Sequence, residues 1–406
     1  MIATKDFSKL LAEVNNRAKA SVMRELLKFT NKPGLISFAG GMPDPAAFPV
    51  NDISRFMAEA VENNPKVALQ YGQTEGDPAF VKELIKLIKE DENIDITPDN
   101  ILVTSASQQA LDIITKAFIN PGDIILVGNP TYLGALQAFQ SYGAHMIGVE
   151  SDDDGMTVES LSEQLENIKQ SGKICKFIYV VPDFQNPTGT TIPLERRKKM
   201  LELAKKYGTL ILEDSPYRHI RFEGEHETTF YAIDKGEGNV MTMFTFSKTF
   251  VPGFRLGYVI AHPDLIRKFC ILKQSMDLCT SPVCQAVTAQ YLKSGKLNAH
   301  VKKIVDIYSQ KRDAMLKALK THMPAGVTWT EPKGGLFLWV VLPEYIDATA
   351  MFPSALEQNV AYVIGSAFYH DDSVKSCMRL NFSYATFEQI EEGIKRLAAA
   401  IKKNIK

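Results

Sequence analysis

Seven short apolar runs between residues 100 and 260 constrain the fold more than any other feature of this chain. Each run is continuous rather than alternating, and turn-forming residues bound it on both sides. Such runs are typical of strands buried on both faces, so they predict an α/β fold with a mostly parallel central sheet flanked by helices. The runs are Ile101 to Val103, Ile124 to Val127, His145 to Val149, Phe177 to Val181, Leu210 to Leu212, Met241 to Phe244 and Gly257 to Ile260.

Segments with helical spacing separate these runs. Residues Leu194 to Tyr207 repeat apolar side chains at helical intervals and end before Gly208, a common helix stop. The alternation predicts repeated strand–helix–strand units. Because ligands of open parallel sheets lie beyond the carboxyl ends of the strands, the residues that follow each run are the first candidates for a site.

The last hundred residues of the 406 have a different pattern. Val301 to Lys320 predicts a long amphipathic helix, Pro324 marks a turn, and Gly334 to Val341 predicts a strand. A chain of this length is expected to form more than one domain. We expect an N-terminal helix or lid segment at 1–45 that packs with the small domain, a large domain at 46–295 and a small α+β domain at 296–406.

Charge and composition exclude several classes of protein. Lys and Arg total 46 against 47 Asp and Glu, so no net field would hold the chain on nucleic acid or an anionic membrane. No run of about 18 apolar residues predicts a membrane span, and Met1 to Phe7 lacks the pattern of a secretory leader. The five scattered cysteines are odd in number and suggest reduced thiols, with no metal site. We therefore expect a cytoplasmic protein.

The segment from Thr245 to Gly257 carries the most specific chemical signal. Lys248 follows a predicted buried strand, and an amine in a desolvated pocket has a lowered pKa and becomes a nucleophile able to form a Schiff base. The hydroxyls of Thr245 and Ser247 and the planar guanidinium of Arg255 suit a phosphate. The pattern favours an aldehyde cofactor with a phosphate, although Lys248 alone would more often be a surface residue at a strand end.

Five short motifs along the chain settle that choice. The motifs are Pro130-Thr131-Tyr132, Asn186-Pro187-Thr188-Gly189, Asp214-Ser215-Pro216-Tyr217, Thr245-Phe246-Ser247-Lys248 and Arg379-Leu380-Asn381-Phe382. In these motifs and in their order, the chain resembles the class I/II aminotransferases of fold type I, enzymes that depend on pyridoxal 5′-phosphate (PLP). The resemblance implies that Lys248 holds PLP as a Schiff base.

The resemblance assigns roles around the PLP ring. Asp214 is expected to face the pyridine nitrogen and keep it protonated, which makes the ring an electron sink. Asn186 and Tyr217 are expected to hydrogen-bond the phenolic oxygen of the cofactor. Without Lys248 and Asn186, a helix N-cap or turn would be the favoured interpretation of Asp214, and Asn186-Pro187 alone would indicate a simple turn.

The phosphate and the face of the ring have their own candidates. Ala106, Ser107 and Gln108 open a helix after the first strand, where backbone N–H groups favour an anion. Family members usually carry Gly at the position of Ala106. Tyr132 matches the aromatic residue that stacks on the ring, although a core tyrosine is the alternative.

Substrate and partner contacts are implied by two further positions. Arg379 resembles the family's clamp for the α-carboxylate of the amino acid, for which a guanidinium is a natural partner. A surface ion pair is the alternative for Arg379. Tyr71 matches a tyrosine that crosses a dimer interface to the partner's phosphate, so we expect a homodimer with shared active sites.

Two N-terminal stretches narrow the resemblance to the kynurenine/2-aminoadipate aminotransferase group. They are residues 20–27 and 37–43. In that group Arg24 can meet a side-chain carboxylate and Gly40 leaves space for the substrate, although an exposed charge on an amphipathic helix explains Arg24 nearly as well.

The expected reaction exchanges an amino group between an amino acid and a 2-oxo acid, with 2-oxoglutarate as acceptor. 2-Aminoadipate, kynurenine, aromatic and leucine-like donors all remain open. A PLP-dependent β-lyase or decarboxylase and a non-enzymatic regulatory domain are the alternative readings of the same motifs.

Overall fold

The computed structural model describes residues 6–18 and 33–405. The strands are β1 Ile36–Ser37, β2 Ile101–Thr104, β3 Ile124–Asn129, β4 His145–Asp152, β5 Gly155–Met156, β6 Cys175–Val180, β7 Leu210–Asp214, β8 Val240–Thr245, β9 Gly257–Ile260, β10 Thr328–Trp329, β11 Phe337–Val341, β12 Val360–Ala361, β13 Val363–Ile364 and β14 Cys377–Asn381.

The helices of the described residues lie between and around these strands. They are α1 Val14–Arg17, α2 Val50–Asn63, α3 Pro65–Ala68, α4 Pro78–Glu92, α5 Ala106–Phe118, α6 Leu133–Ser141, α7 Val158–Gln170, α8 Leu194–Tyr207, α9 Phe230–Asp234, α10 Pro263–Gln274, α11 Pro282–Lys293, α12 Lys296–His322, α13 Ala348–Glu357 and α14 Phe387–Lys402. Over the same residues, no helix is both long enough and apolar enough to cross a membrane.

The central sheet has the order β2-β9-β8-β7-β6-β3-β4-β5, and every predicted apolar run forms one of its strands. Pairing is parallel from β8 through β7, β6 and β3 to β4. The prediction of a mostly parallel α/β sheet is therefore confirmed. β9 runs antiparallel to both of its neighbours.

Each inner strand buries both of its faces, as the continuous apolar runs require. On β6, Phe177 and Tyr179 pack in the core on one side of the sheet, and Ile178 and Val180 pack in the core on the other. Helix α8 ends as predicted, because Gly208 adopts the left-handed conformation with φ 64°.

A second, antiparallel sheet in the C-terminal part has the order β10-β11-β14-β13. The strand predicted from Gly334 begins only at Phe337, because Gly334 lies too close to other backbone: a Cβ there would be 2.4 Å from the Ile220 carbonyl oxygen. The predicted helix from Val301 is longer at both ends, as α12. Near the N-terminus, β1 pairs with β12 of the C-terminal part. The domain bounds at 45 and 295 stay a prediction.

Candidate active site

A cavity of about 390 Å³ opens at the carboxyl edge of the central sheet. The second sheet closes it from the other side with Phe337 of β11 and Arg379 of β14. The cavity brings together most of the side chains singled out in the sequence, although they are spread over more than 270 positions. Those that line it are Ala106, Ser107, Gln108, Tyr132, Asn186, Asp214, Tyr217, Thr245, Ser247, Lys248, Arg255 and Arg379.

Lys248 reaches the cavity from the loop after β8. Its Nζ donates a hydrogen bond of 2.7 Å to the carbonyl oxygen of Gly41. Burial, together with the smaller effect of the nearby cations Arg379 and Arg255, lowers the pKa of Lys248 to about 8. Near neutral pH a lysine with this pKa is a neutral, nucleophilic amine far more often than an ordinary surface lysine.

Asp214 ends β7 and is 3% exposed. Its Oδ2 accepts a hydrogen bond of 2.8 Å from the hydroxyl of Tyr179, whereas its buried Oδ1 has no hydrogen-bond partner among the described residues. Burial raises the pKa of Asp214 to about 7; the Tyr179 hydrogen bond lowers it and the neighbouring Glu213 raises it. A buried acceptor without a donor is costly, so Oδ1 is suited to a ligand that brings an N–H group.

Arg379 lies on the opposite wall and is 2% exposed. Its guanidinium donates to Asn186 Oδ1 at 2.8 Å and to the Ala39 carbonyl oxygen at 2.7 Å, and it lies 4.2 Å from the centre of the Phe337 ring. Burial lowers the pKa of Arg379 to about 10. The group is thus a cation held in a pocket with low dielectric, where it binds a carboxylate strongly.

Asn186 and Tyr217 stand beside this cation. The Asn186 side chain hydrogen-bonds the Tyr217 hydroxyl, while its amide oxygen is taken by Arg379. Tyr217 is 5% exposed, and burial raises its pKa far above the usual range, so its hydroxyl stays protonated. Both side chains can therefore act as hydrogen-bond donors toward a ligand oxygen.

The end of the cavity next to helix α5 is rich in donors. Ser107 Oγ is buried there without a hydrogen-bond partner in the described part of the chain, and Ala106 adopts a left-handed φ of 64° at the start of the helix. The Thr245 hydroxyl donates to Ser247 Oγ at 2.8 Å. Exposed Arg255 completes the rim. Hydroxyls, a helix N-terminus and a guanidinium together suit a phosphate.

Three sequence candidates stand apart from this group. Tyr71 is 81% exposed and does not line the cavity of this chain. Gly40 does not line the cavity, although its neighbours Gly41 and Met42 do. Its carbonyl oxygen accepts a hydrogen bond of 3.4 Å from Arg379. Arg24 lies outside the described residues.

The family follows from a comparison of the whole chain with known proteins. Residues 40–397 match the model of the family described as aminotransferase class I and II. The chain belongs to this family. It is therefore an enzyme, an aminotransferase of fold type I, as the motifs of the sequence predicted.

Relatives of this aminotransferase match it from end to end. The aromatic-amino-acid aminotransferase 1 of Thermococcus litoralis is 47% identical over 99% of this chain and 96% of its own length. A kynurenine aminotransferase of Pyrococcus horikoshii, solved in complex with PMP, KYN and KYA, is 46% identical, with a TM-score of 0.95 and 99% of both chains covered. The α-aminoadipate aminotransferase LysN of Thermus thermophilus, solved with N-(5′-phosphopyridoxyl)-L-leucine, is 33% identical with a TM-score of 0.91, over 98% of this chain and 99% of its own.

Sequence reasoning missed some residues of this aminotransferase that line the cavity or lie directly behind it. Gln137 of α6 and Leu133 line the wall, yet both belong to an ordinary helical pattern. Tyr179 lies within an apolar strand and contacts Asp214. Nothing in a single sequence distinguishes such a tyrosine from one that only packs in the core. Its contact with Asp214 is visible only once the neighbouring strand is in place.

Proposed function

We propose that this aminotransferase binds PLP in the cavity and transfers the amino group of an aromatic amino acid to 2-oxoglutarate. The observation that carries the proposal is the convergence of Lys248, Asp214 and Arg379 on one enclosed space of about 390 Å³. An amine, a carboxylate and a guanidinium in these positions correspond to the three parts of the reaction: holding the cofactor, tuning its ring and binding the substrate.

The polar atoms that lack partners within the described chain fit the cofactor at both of its ends. Asp214 Oδ1 would hold the proton of the pyridine nitrogen, and Ser107 Oγ would donate to the phosphate. Thr245, Ser247 and Arg255 are the further phosphate ligands in this proposal. When bound, PLP supplies an electron-withdrawing ring that acidifies the α carbon of the amino acid.

Lys248 has two tasks in this account. Its Nζ would hold the cofactor before substrate arrives, and once substrate had displaced it, the same atom would carry the α proton. A pKa of about 8 serves both tasks, because the amine is neutral often enough to attack and basic enough to take a proton. The carbonyl oxygen of Gly41 can accept a hydrogen bond from the released amine.

Arg379 would orient the substrate through its α-carboxylate. Pairing with that carboxylate would neutralise a buried cation, which supports binding of every amino acid and 2-oxo acid alike. Asn186 and Tyr217 would donate hydrogen bonds to the phenolic oxygen of the ring, and Tyr132 would pack on its face.

The choice of an aromatic donor rests on the wall that the substrate side chain would meet. Met42, Leu133 and Phe337 present apolar surface there, beside the amide of Gln137. The 47% identical Thermococcus litoralis aromatic-amino-acid aminotransferase supports the same choice. Arg24, in this proposal, meets the side-chain carboxylate of 2-oxoglutarate, and Gly40 leaves room for the longer donors.

The proposed assembly is a homodimer. Val67 of α3 and Leu69 and Tyr71 after it form an exposed apolar stretch that is unusual on the surface of a monomer. A second chain covering this stretch would bring Tyr71 to the phosphate end of the partner's cavity.

A panel of amino donors measured against 2-oxoglutarate tests the proposal. We expect kcat/KM to be highest for phenylalanine, tyrosine or kynurenine and lower for 2-aminoadipate, leucine and alanine. Lys248→Ala should reduce turnover by roughly a thousandfold or more with every donor. Lys199→Ala, on the exposed face of α8, is the matched control and should retain turnover. A preference for alanine, or release of ammonia without an acceptor acid, would contradict the proposal.

A further inference from the structure

Tyr179 is fully buried behind the cavity and contacts Asp214 directly. The register of the sheet explains this contact. Tyr179 of β6 lies opposite Leu212 of β7, and Asp214, two residues after Leu212, points to the same face of the sheet as Leu212 and Tyr179. Diagonal neighbours on adjacent strands are within reach of a long side chain. The Tyr179 hydroxyl therefore meets Asp214 Oδ2, at 2.8 Å.

Packing fixes the position of this hydroxyl. The ring of Tyr179 meets the ring of Phe139 edge to face, with centroids 5.3 Å apart and an interplanar angle of 75°. Burial raises the pKa of Tyr179 well above its ordinary value, so the phenol remains protonated and donates at every working pH. Asp214 Oδ2 is thus occupied permanently, and Oδ1 is the carboxylate oxygen left without a protein donor in the described chain.

We infer that Tyr179 is a positioning residue for the cofactor: it fixes the carboxylate of Asp214 in one rotamer, with Oδ1 presented to the ring nitrogen. The inference rests on the proposed function, since it concerns how Asp214 is held for PLP. Tyr179 does not line the cavity and acts only through Asp214.

The hydrogen bond also controls how much of Asp214 is ionised. Burial and the adjacent Glu213 raise the pKa of Asp214 to about 7, and Tyr179 acts in the opposite direction. The other titratable groups around Asp214 are Tyr132 and Tyr217. The cations of the cavity are Lys248, Arg255 and Arg379. Without the Tyr179 hydroxyl, the protonated form of Asp214 would predominate at neutral pH, and a protonated carboxyl cannot pair with a pyridinium.

Tyr179→Phe removes the hydroxyl and keeps the ring, so it isolates this effect. We expect the affinity of the apoenzyme for PLP at neutral pH to fall about tenfold, and the pH at which affinity is lost on acidification to rise by about one unit, the size expected for a hydrogen bond to a charged group. The readout is the equilibrium dissociation constant of PLP, titrated across the neutral range.

A double-mutant cycle with Asp214→Asn separates positioning from a structural defect. In the Asp214→Asn background, Tyr179→Phe should cause no further loss of PLP affinity and no shift with pH. An equal loss in both backgrounds, or an unchanged affinity in Tyr179→Phe alone, would overturn the inference. Tyr231→Phe is the control: a buried tyrosine whose hydroxyl bonds Asn100, in the core on the other side of the sheet. If the unsubstituted apoenzyme bound no PLP, the proposed function itself would fail.

Discussion

Burial has opposite effects on the two central ionisable groups, because it opposes charge of either sign. It lowers the pKa of Lys248 to about 8 and raises that of Asp214 to about 7. Both groups are therefore close to their titration midpoints near neutral pH. A side chain in that condition exchanges protons readily, which is what an amine that both attacks and carries protons requires.

Ala106 is a strained residue at the phosphate end, and the strain can be measured. Its φ of 64° lies in the left-handed region, which costs an alanine roughly 1–2 kcal/mol. We expect Ala106→Gly to leave the free energy of unfolding unchanged or to raise it by up to about 1 kcal/mol, since glycine relieves the strain but adds freedom to the unfolded chain.

Ala110→Gly, one turn later in α5, provides the control for that measurement. Ala110 is fully buried within the regular helix, so glycine there should lower the free energy of unfolding by about 1 kcal/mol or more. Urea unfolding of both variants checks the prediction. If both substitutions lowered the free energy of unfolding equally, the left-handed φ of Ala106 would carry no strain.

The sequence predicted which residues meet at the cavity better than how they are held there. Lys248, Asp214 and Arg379 could be found because each stands within a recognisable motif. Tyr179 could not, because its contact with Asp214 depends on the register between β6 and β7, and the sequence does not specify register. Its partner atom belongs to another strand, 35 residues away.

At the scale of elements, the direction of β9 shapes the phosphate end of the cavity. Strand β8 ends at Thr245, and the chain returns into β9 at Gly257 on the same edge of the sheet. Lys248 and Arg255 therefore lie in one loop at the carboxyl edge and both line the cavity. The apolar run predicted the strand but not its antiparallel direction, since periodicity carries no information about direction.

The segment after β6 depends on a buried ion cluster. Asp183 is 1% exposed and accepts from Arg197 of α8 at 2.8 Å and from Arg221 at 3.2 Å. We expect Asp183→Asn to lower the free energy of unfolding by about 3–5 kcal/mol, because two guanidinium groups would lose their counter-charge inside the protein. Chemical denaturation measures the change.

Asp152→Asn is the matched control at the surface. Asp152 also binds an arginine through two contacts, to Arg196 at 2.6 and 3.0 Å, but its side chain is 49% exposed. Asp152→Asn should lower the free energy of unfolding by no more than about 1 kcal/mol. If the two substitutions lowered the free energy of unfolding equally, burial would not explain how much the Asp183 cluster stabilises the fold.

At the scale of the whole molecule, residues from both parts of the chain line the candidate site. The central sheet supplies Lys248 and Asp214, and the C-terminal sheet supplies Arg379 and Phe337. The change of helical and strand pattern near residue 300 led us to expect two domains, and their bounds stay a prediction. The order of the strands and the closeness of the two sheets depend on long-range packing, which no local pattern specifies.

Complementation between two defective chains tests the proposed dimer. A site in a mixed dimer would take Lys248 from a Tyr71→Ala chain and Tyr71 from a Lys248→Ala chain. We expect the two variants, unfolded and refolded together, to show more activity than the sum of the separate preparations. Activity equal to that sum would mean that Tyr71 does not serve a partner's site.

Covalent capture of the cofactor tests the central claim most directly. The holoenzyme, saturated with PLP, is treated with borohydride, which fixes the cofactor to whichever amine it is bonded to, and is then digested and analysed by mass spectrometry. The account predicts the added pyridoxyl phosphate mass on Lys248 and on no other lysine. Labelling of a different lysine, or no labelling of a protein that still transfers amino groups, would contradict it.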